Sequence, residues 1–491
     1  PVNGQATINV ELKTSAVDVD EVVVIGYGTQ KKKVVTGSIS SVSSEDINST
    51  PILRADQALQ GRTAGVMVTN QSGQPGETPS IIIRGIGSSG NTEPLYVVDG
   101  MPVEDIGFLN AGDIESMDVL KDAASSAIYG ARGANGVVLI TTKKGTKGKT
   151  NLTYSGYYGI QNVSKRLEML NSDQYRELMN EGAFNAGQSE PFDLNEIAEF
   201  DTDWQDELFQ TNVPIQNHEI SVNGGNEKSI FSSSLSYFSQ NGIIGGDKSQ
   251  FERYTARLNI ENQAKDWLRF GLNMNYAHIK QRGISSNTSF NGAYSSALNM
   301  DPLTPVFITD ESILNSAPYS TQPVVTDDNG NVYAISDNVS PAEVVNPLAL
   351  LELETQKDRI DRFLGNTFAE INIIDGLKLR STFGILFKYT DVGSYRPFYY
   401  LNGPQSNTPA SGFTSVTKEI FRDFKWQNEN FLTYEKSFGA HNFTLLLGTS
   451  ASKEFYENLR GYNVDISEAM PYLDLATQDT LSETSGGANH T

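Results

Sequence analysis

The chain has 491 residues and a formal charge of −22, from 37 Lys and Arg against 59 Asp and Glu. This acidic balance argues against a nucleic-acid binder, which needs basic surface to neutralise phosphates. The chain has no cysteine, which excludes disulfides, thiolate metal sites and cysteine nucleophiles.

The apolar residues occur in short runs. No unbroken stretch of Ala, Val, Ile, Leu, Met, Phe, Trp or Tyr exceeds four residues, whereas a helix that crosses a bilayer needs about 20 apolar residues. A membrane-spanning protein of this composition would have to be a β-barrel, whose strands alternate apolar and polar residues.

The sequence divides into four parts. Residues 1–14 alternate like one strand, which cannot fold alone, so they are predicted to be the last strand of another domain. Residues 15–33 hold a short apolar strand between an acidic and a basic cluster. Residues 34–148 predict a small mixed α/β domain with glycine-rich turns, and residues 149–491 follow another pattern.

Within the small domain, short apolar runs and turn residues predict strands and two short helices. The predicted strands are 66–69, 80–84, 95–98, 114–120 and 137–142, and the predicted helices are 55–60 and 123–129.

From residue 151 onward, several segments alternate between apolar and polar residues, which is the period of a β-strand. About nine strands are predicted there, near 152–160, 216–223, 229–239, 254–261, 268–276, 359–373, 377–389, 419–435 and 441–457. The polar tail, residues 482–491, is not predicted to be a terminal barrel strand.

The connections between these strands alternate in length. Those after the second, fourth, sixth and eighth strands are short, and the longer ones lie near 162–215, 240–250, 282–358 and 390–418. Short turns at one end and long loops at the other are typical of an outer-membrane barrel. The alternative interpretation is a soluble β-sandwich with half-buried aromatic residues.

Motifs for chemistry are weak. Gly85–Gly90 matches G-x-G-x-x-G, but residues 91–94 and then a strand follow it, so the helix that would bind a pyrophosphate is missing and a flexible loop is predicted. Asp327–Gly330 resembles part of a calcium loop without its ligand spacing, which favours a turn. We therefore predict no enzyme, no catalytic residue, no metal and no cofactor.

The apolar run at residues 22–25 has a second interpretation. β-Branched residues favour an extended backbone, and an exposed strand binds a partner by extending the partner's sheet. The charged residues on either side favour exposure, although an ordinary internal strand remains the alternative.

Several stretches resemble one known family. DEVVVIGYGT at 20–29 is similar to the TonB box of SusC/RagA-type TonB-dependent outer-membrane transporters of Bacteroidota, and TINVELK at 7–13 is similar to the end of their carboxypeptidase-regulatory-like domain. Plug signatures of that family are similar to LQGRTAGVMV (59–68), SIIIRGIG (80–87), PLYVVDG (94–100) and DIESMDVLKDAASSAIYGARGANGVVLITTKKG (113–145).

The resemblance implies an antiparallel outer-membrane β-barrel of 22 strands, about nine of them present here, with an N-terminal mixed α/β plug inside the lumen. The implied parts are the end of a carboxypeptidase-regulatory-like domain (1–14), the TonB-box region and linker (15–33), the plug (34–148) and the first part of the barrel with long extracellular loops (149–491). Twenty-two strands would need several hundred more residues, so we expect a piece of a longer transporter or a nicked chain.

The resemblance also implies a function. It is TonB-dependent import of a nutrient, a glycan or an oligopeptide, across the outer membrane of a Gram-negative bacterium. The implied partners are a SusD-like lipoprotein, TonB with its inner-membrane energising complex, outer-membrane lipid and a second transporter–lipoprotein pair. The alternatives are a TonB-linked sensor, a surface adhesin and a porin.

Three groups of site residues follow from the resemblance. The residues expected to bind TonB are Asp20, Glu21, Val22, Val23, Val24 and Ile25. Arg84 and Arg132 lie in plug signatures and are expected to contact the barrel, with an ion pair inside the plug as the alternative. The plug loop expected to face substrate comprises Ser88, Ser89, Gly90 and Asn91, with an inert turn as the alternative.

Overall fold

The structure is a computed structural model. It describes residues 22–25, 28–31, 39–48, 54–70, 72–87, 90–285, 292–336, 344–439, 441–467, 471–473 and 483–490. The strand predicted within residues 1–14 lies outside the described residues.

Two short strands precede the small domain. Strand β1 (Val22–Ile25) pairs antiparallel with β2 (Gly28–Lys31), and the two form a separate two-stranded sheet. The predicted apolar strand at 22–25 is therefore present as one arm of a hairpin.

The small domain, whose described residues 39–145 we call the plug, contains seven strands. They are β3 (Ile39–Ser43), β4 (Val66–Thr69), β5 (Ser80–Ile83), β6 (Leu95–Val98), β7 (Met101–Val103), β8 (Ile114–Leu120) and β9 (Val137–Thr142). Five of them form a sheet in the order β3-β8-β9-β6-β7, with β6 and β9 parallel, and β4 pairs with β5. Each predicted plug strand is found within one residue of its predicted bounds.

Short helical segments cover the plug sheet. They are α1 (Ser44–Asn48), α2 (Ala123–Ser126) and 3₁₀ turns at Ala55–Leu59, Ala111–Asp113 and Ala127–Gly133. Ile47, Leu59, Ile81 and Met117 are completely buried between these layers, and burial of such side chains stabilises the domain by about 1.5–3 kcal/mol each. The plug therefore has an apolar core of its own.

Most of the described strands after the plug form one large sheet, which we call the wall. Its ten strands are all antiparallel and follow one another in chain order. They are β10 (Gly148–Gln161), β11 (Val213–Gly225), β12 (Ser229–Gly242), β13 (Gly246–Lys265), β14 (Leu268–Arg282), β17 (Lys357–Ile374), β18 (Leu377–Arg396), β21 (Ser415–Phe438), β22 (His441–Val464) and β23 (Glu483–His490).

Two sequence-based expectations about the wall are wrong. The connection predicted near 240–250 is short, because the pairing of β12 with β13 continues past the apolar alternation and leaves residues 243–245 as a turn, with Gly245 and Gly246 at positive φ. The polar tail is not excluded from the sheet, because β23 pairs with β22 over eight residues.

The inner and outer faces of the wall are reversed relative to a soluble sheet. On β13, the alternate residues Arg253, Thr255, Arg257, Asn259 and Glu261 are buried against the plug, although all are polar. On the opposite face, apolar side chains are exposed, such as Leu235 at 63% and Ile220 at 51%. Apolar residues outside and polar residues inside are typical of transmembrane β-barrel strands.

The long connections of the wall carry helices and short strands. They are α3 (Ser172–Asn185), α4 (Trp204–Leu208), α5 (Ala293–Asn299), α6 (Glu311–Leu314) and α7 (Pro347–Glu352), and the short pairs β15 (Phe307–Ile308) with β16 (Val332–Tyr333) and β19 (Tyr399–Tyr400) with β20 (Ser406–Asn407). Trp204, Ala297 and Leu351 pack into one buried apolar cluster, so loops that are distant in sequence form one layer at this end of the wall.

Among the described residues, no helix has the length and apolar character needed to cross a membrane.

Candidate functional site at the plug–wall interface

The plug approaches the wall through the segment from Asp99 to Asp113. It starts at the turn between β6 and β7, where Asp99 and Gly100 have φ angles of 48° and 91°. The Asp99 carboxylate accepts hydrogen bonds from the N and Oγ1 atoms of Thr142 at 3.0 and 2.7 Å. On the wall side, Asn366 donates to the Asp99 carbonyl at 3.2 Å. The turn is therefore fixed to the plug sheet and to the wall at once.

Burial affects the ionisation of the Asp99 carboxyl group in this turn. It raises the pKa of the Asp99 carboxyl, and the hydrogen bonds from the Thr142 backbone and side chain oppose the rise. The Asp99 side chain therefore accepts hydrogen bonds within the plug, and its backbone carbonyl accepts one from the wall.

Arg362 on β17 holds the next part of the segment. Its Nη1 donates to Oδ2 of Asp105 at 2.7 Å, and its guanidinium carbon lies 4.0 Å from the ring centroid of Phe108. Burial alone would raise the pKa of Asp105, but the positive charge of Arg362 and its hydrogen bond hold it below the ordinary value. This contact combines an ion pair with a cation–π interaction.

A second wall arginine binds the end of the segment. Nε of Arg257 donates to Oδ1 of Asp113 at 2.9 Å, and both side chains are almost fully buried. Arg257 also donates to Oγ of Ser232 at 2.7 Å and to the carbonyl of Lys143. One guanidinium therefore joins two parts of the plug to two wall strands.

A third buried arginine contacts the plug backbone. Nη1 of Arg253 donates to the carbonyl of Gly107 at 2.6 Å, and its guanidinium lies over the ring of Phe238 at 5.4 Å. Arg253 and Arg257 are four residues apart on one strand, so their side chains share a face. The inner face of β13 therefore contacts the plug segment at two places, Gly107 and Asp113.

The fit at Gly112 leaves no room for a side chain. A Cβ atom at Gly112 would lie 2.0 Å from Oε2 of Glu219 on β11. The same carboxylate accepts a hydrogen bond from Nδ2 of Asn110. Glycine at this position allows the plug backbone to reach the wall carboxylate.

Further contacts tie the two ends of the plug to the wall. Towards the short turns, Lys144 pairs with Glu261 at 3.0 Å, and a Cβ at Gly145 would lie 2.3 Å from the backbone nitrogen of Phe231. Towards the long loops, Gln74 donates to the carbonyl of Ile284 at 2.6 Å and accepts from its N–H at 3.3 Å.

This interface is formed by noncovalent contacts between charged and polar groups. The ion pairs and hydrogen bonds join the plug to the polar face of the wall, and removal of one partner of a buried ion pair costs about 3–5 kcal/mol. In the described part of the chain, no group of three or more His, Asp or Glu side chains is placed to bind a metal ion.

The residues predicted to bind TonB are only partly described. Val22, Val23, Val24 and Ile25 form β1, whereas Asp20 and Glu21 lie outside the described residues. Their role in binding TonB stays a prediction.

The other predicted site residues lie away from the contacts reported above. Arg84 and Arg132 have exposed side chains, and Arg84 donates its backbone N–H to the carbonyl of Gly65 at 2.8 Å. Their contact with a barrel wall stays a prediction. In the plug loop, Ser88 and Ser89 lie outside the described residues.

The remaining part of that loop is described. Gly90 and Asn91 are exposed, and Asn91 accepts hydrogen bonds from the backbone N–H of Glu93 at 2.9 Å and from Asn135 at 2.8 Å. Contact between this loop and a substrate stays a prediction.

Sequence analysis missed the wall arginines. Arg257 lies on the polar face of β13. The alternation of apolar and polar residues in that strand indicates that its side chain points inward. The pattern does not name a partner for it, because Asp113 is 144 residues away in the chain.

Comparisons with known proteins agree with this architecture. Residues 31–137 match the TonB-dependent Receptor Plug Domain family. The chain is 35% identical to TonB-dependent receptor P3 of Formosa agariphila, over 92% of this chain and 42% of the relative. It is 32% identical to TonB-dependent receptor SusC of Bacteroides thetaiotaomicron, over 92% of this chain and 44% of the relative.

A solved structure shows the same likeness. The RagAB peptide importer in its open-open state superposes with a TM-score of 0.77 at 26% identity, over 95% of this chain and 53% of that chain. The chain therefore spans less than half the length of these two curated relatives and about half of the solved chain. The expected fold class, a mixed α/β plug with an antiparallel wall of barrel type, is confirmed. In its plug and over more than nine-tenths of its length, the chain is similar to TonB-dependent receptors, SusC and the RagAB structure among them.

Proposed function

We propose that this chain works in TonB-dependent import of a nutrient across the outer membrane and performs no covalent chemistry. The observation that carries this proposal is a set of two contacts between plug carboxylates and buried wall arginines, Asp113 with Arg257, which is fully buried, and Asp105 with Arg362, which is partly buried. A plug held by ion pairs closes the lumen at rest and can be released when force breaks those pairs.

The membrane location rests on the two faces of the wall. Its outer face exposes apolar side chains, and its inner face buries polar ones against the plug. An outward apolar band suits lipid, and a polar interior suits a water-filled lumen. We therefore assign the wall to the outer membrane of a Gram-negative bacterium.

Energy input is assigned to β1. Its residues Val22–Ile25 pair with β2 along one edge, and no further strand of the described residues extends that sheet. A partner strand can therefore add to the other edge by backbone hydrogen bonds. In this scheme TonB, driven by its inner-membrane complex, pairs with the region 20–25 and pulls on the plug.

The partners on the outer side follow from the similar proteins. RagAB is named as a peptide importer, and SusC is a TonB-dependent receptor at 32% identity to this chain. We propose a SusD-like lipoprotein above the layer formed by the long connections, two transporter–lipoprotein pairs in one assembly, and a glycan or an oligopeptide as cargo.

The energy-coupling step is tested in the intact protein by deletion of residues 20–25. A finer pair of variants is Val24→Pro, which removes a backbone donor from the strand, and Val24→Ile, which keeps it. We expect the deletion and Val24→Pro to abolish uptake and crosslinking to TonB, with normal amounts of protein in the outer membrane. Uptake and crosslinking that survive the deletion unchanged would overturn the assignment.

A further inference from the structure

A cavity of about 480 Å³ lies between the plug and the last long strands of the wall. Glu104 lines the cavity on the plug side, and it directly precedes Asp105, which binds Arg362. Its wall side is formed by β18, β21 and β22. The cavity therefore lies next to one of the contacts that hold the plug.

Strand register shows that the lining residues face the lumen. Lys388 on β18 lies opposite Arg362 on β17, and Asp423 on β21 lies opposite Lys388. Tyr456 on β22 lies opposite Asp423. Directly opposed residues share a face of the sheet, and Arg362 points at the plug, so the whole row points inward.

The lining combines carboxylates with aromatic rings. Glu104, Asp423 and Glu454 contribute three carboxylates, and the rings of Phe421 and Tyr456 complete the wall side.

Two lysines neutralise part of the negative charge of these carboxylates. Lys388 in the lining lies 3.8 Å from Glu104, and Lys425 pairs with Glu454 at 3.4 Å. Asp423 lies between them in the register, so the lining retains an excess of negative charge.

This chemistry selects among cargoes. A cationic group is attracted by the carboxylates and by the faces of the aromatic rings, whereas a neutral glycan gains stacking and hydrogen bonds to the carboxylates but no attraction between opposite charges. We propose that this cavity is a binding site for cargo that carries an ammonium or guanidinium group beside an apolar group, as in a basic oligopeptide. The inference rests on the import function proposed above and names a class of substrate for it.

The cavity also couples cargo to the plug. A cation bound at Asp423 and Glu104 competes with Lys388 for Glu104, and Glu104 adjoins the residue held by Arg362. Occupancy therefore weakens one of the contacts between the plug and the wall.

The experiment measures peptide binding to the intact protein in detergent by fluorescence anisotropy. The probe is a labelled pentapeptide with two lysines and one phenylalanine. It is compared with the same peptide acetylated on both lysines and with a linear glucose hexasaccharide as an unlabelled competitor. We expect Asp423→Asn and Glu454→Gln each to weaken binding of the basic peptide about tenfold, which corresponds to about 1.4 kcal/mol.

The matched control is Glu457→Gln, because Glu457 follows Tyr456 on β22 and its side chain points to the other face, where it lies 3.9 Å from Arg422. Equal binding of the acetylated peptide, full competition by the hexasaccharide, or unchanged affinity in Asp423→Asn and Glu454→Gln would overturn the proposal. If Asp423→Asn fails to fold, Glu454→Gln decides alone. Loss of uptake on deletion of residues 20–25 alongside unchanged binding in the cavity variants would reject the cavity and keep the import function.

Discussion

At the scale of single residues, Arg257 and Asp113 depend on each other. Their side chains are 4% and 1% exposed, so neither charge is compensated by water. A buried ion pair contributes little net stability over an apolar pair, but loss of one partner leaves a buried charge alone. The pair is therefore one of the contacts expected to hold the plug against the wall.

We predict that Arg257→Met loosens the plug by about 3–5 kcal/mol. The double variant Arg257→Met/Asp113→Leu should recover part of that loss, because it removes the isolated carboxylate but leaves Ser232 and the Lys143 carbonyl without their donor. Amide hydrogen exchange over residues 95–119 in the intact protein measures the change. Exchange in the single variant that equals the wild type would show that the pair does not hold the plug.

Gly112 gives a second prediction. In Gly112→Ala the new methyl group meets Glu219, whose Oε2 lies 2.0 Å from the Cβ position, so the plug has to shift from the wall. Gly87→Ala is the matched control, because nothing lies within 4 Å of its Cβ position. Protease cleavage of the plug should rise in Gly112→Ala alone, and equal cleavage in both variants would contradict the close approach.

The third prediction concerns how pH affects the contact between Asp105 and Arg362. The folded-state pKa of Asp105 lies below its unfolded value because Arg362 stabilises the carboxylate. Its stabilisation is therefore complete above the unfolded pKa of about 3.9 and is lost as pH falls through the lower folded pKa. The protection of the plug amides, measured as exchange relative to the intrinsic rate at each pH, should fall on acidification in the wild type.

Asp105→Asn is the comparison for that measurement. It should start from faster exchange at neutral pH, since Arg362 is left without its partner, and should show a smaller change on acidification. An identical pH profile in wild type and variant would contradict the role given to this pair.

At the scale of elements, alternation predicts the wall well because lipid and lumen impose opposite demands on successive residues. On β13 every second residue from Arg253 to Glu261 is polar and buried, which is visible in the sequence as a period of two. Five of the seven plug strands are predicted as well, because short apolar runs between glycine turns have few other folds available. Strands β3 and β7 are not predicted, because one is mostly serine and the other has only three residues.

The alternation of apolar and polar residues does not predict where a strand ends when backbone pairing continues beyond it. Strands β12 and β13 stay paired to Gly242 and Gly246, beyond the last clear apolar–polar alternation, so the loop is shorter than predicted. Strand β23 is polar, and its pairing with β22 is supplied by backbone groups that carry no sequence signal. Main-chain hydrogen bonds therefore extend elements past the limits that side chains predict.

The outer face of the wall leads to a fourth prediction. Ile220→Arg places a charge on an exposed apolar face of β11 and should cost about 2–4 kcal/mol near the middle of a bilayer. Ile197→Arg is the control, because Ile197 is 96% exposed in the connection after β10. The amount of folded protein in outer-membrane fractions should fall for Ile220→Arg only, and equal amounts would argue for a wall face in water.

At the scale of the whole molecule, the site joins residues that lie far apart in the chain. Asp105 and Arg362 are 257 positions apart, and no local pattern connects them. The resemblance led instead to Arg84 and Arg132, which share the plug signatures but have exposed side chains in the described structure. Sequence predicts that plug and wall meet, whereas the identity of the contacts depends on how the plug is rotated in the lumen.

The most direct measurement is a disulfide between plug and wall. The chain has no cysteine, so Gly112→Cys/Glu219→Cys introduces two thiols only, and removal of the Glu219 carboxylate leaves space for the new side chain. Cδ of Glu219, which is two bonds beyond its Cβ, lies 3.0 Å from the Cβ position at 112, so the two thiols are to be joined directly or through a short reducible linker that reacts with thiols. Gly87→Cys/Glu219→Cys serves as the control pair.

A seated plug predicts that the 112–219 pair crosslinks in resting outer membranes and that the crosslinked protein takes up cargo only after reduction. The control pair should stay reduced. Absence of the 112–219 crosslink, or crosslinking of both pairs to the same extent, would contradict a plug held against the wall by the segment from Asp99 to Asp113.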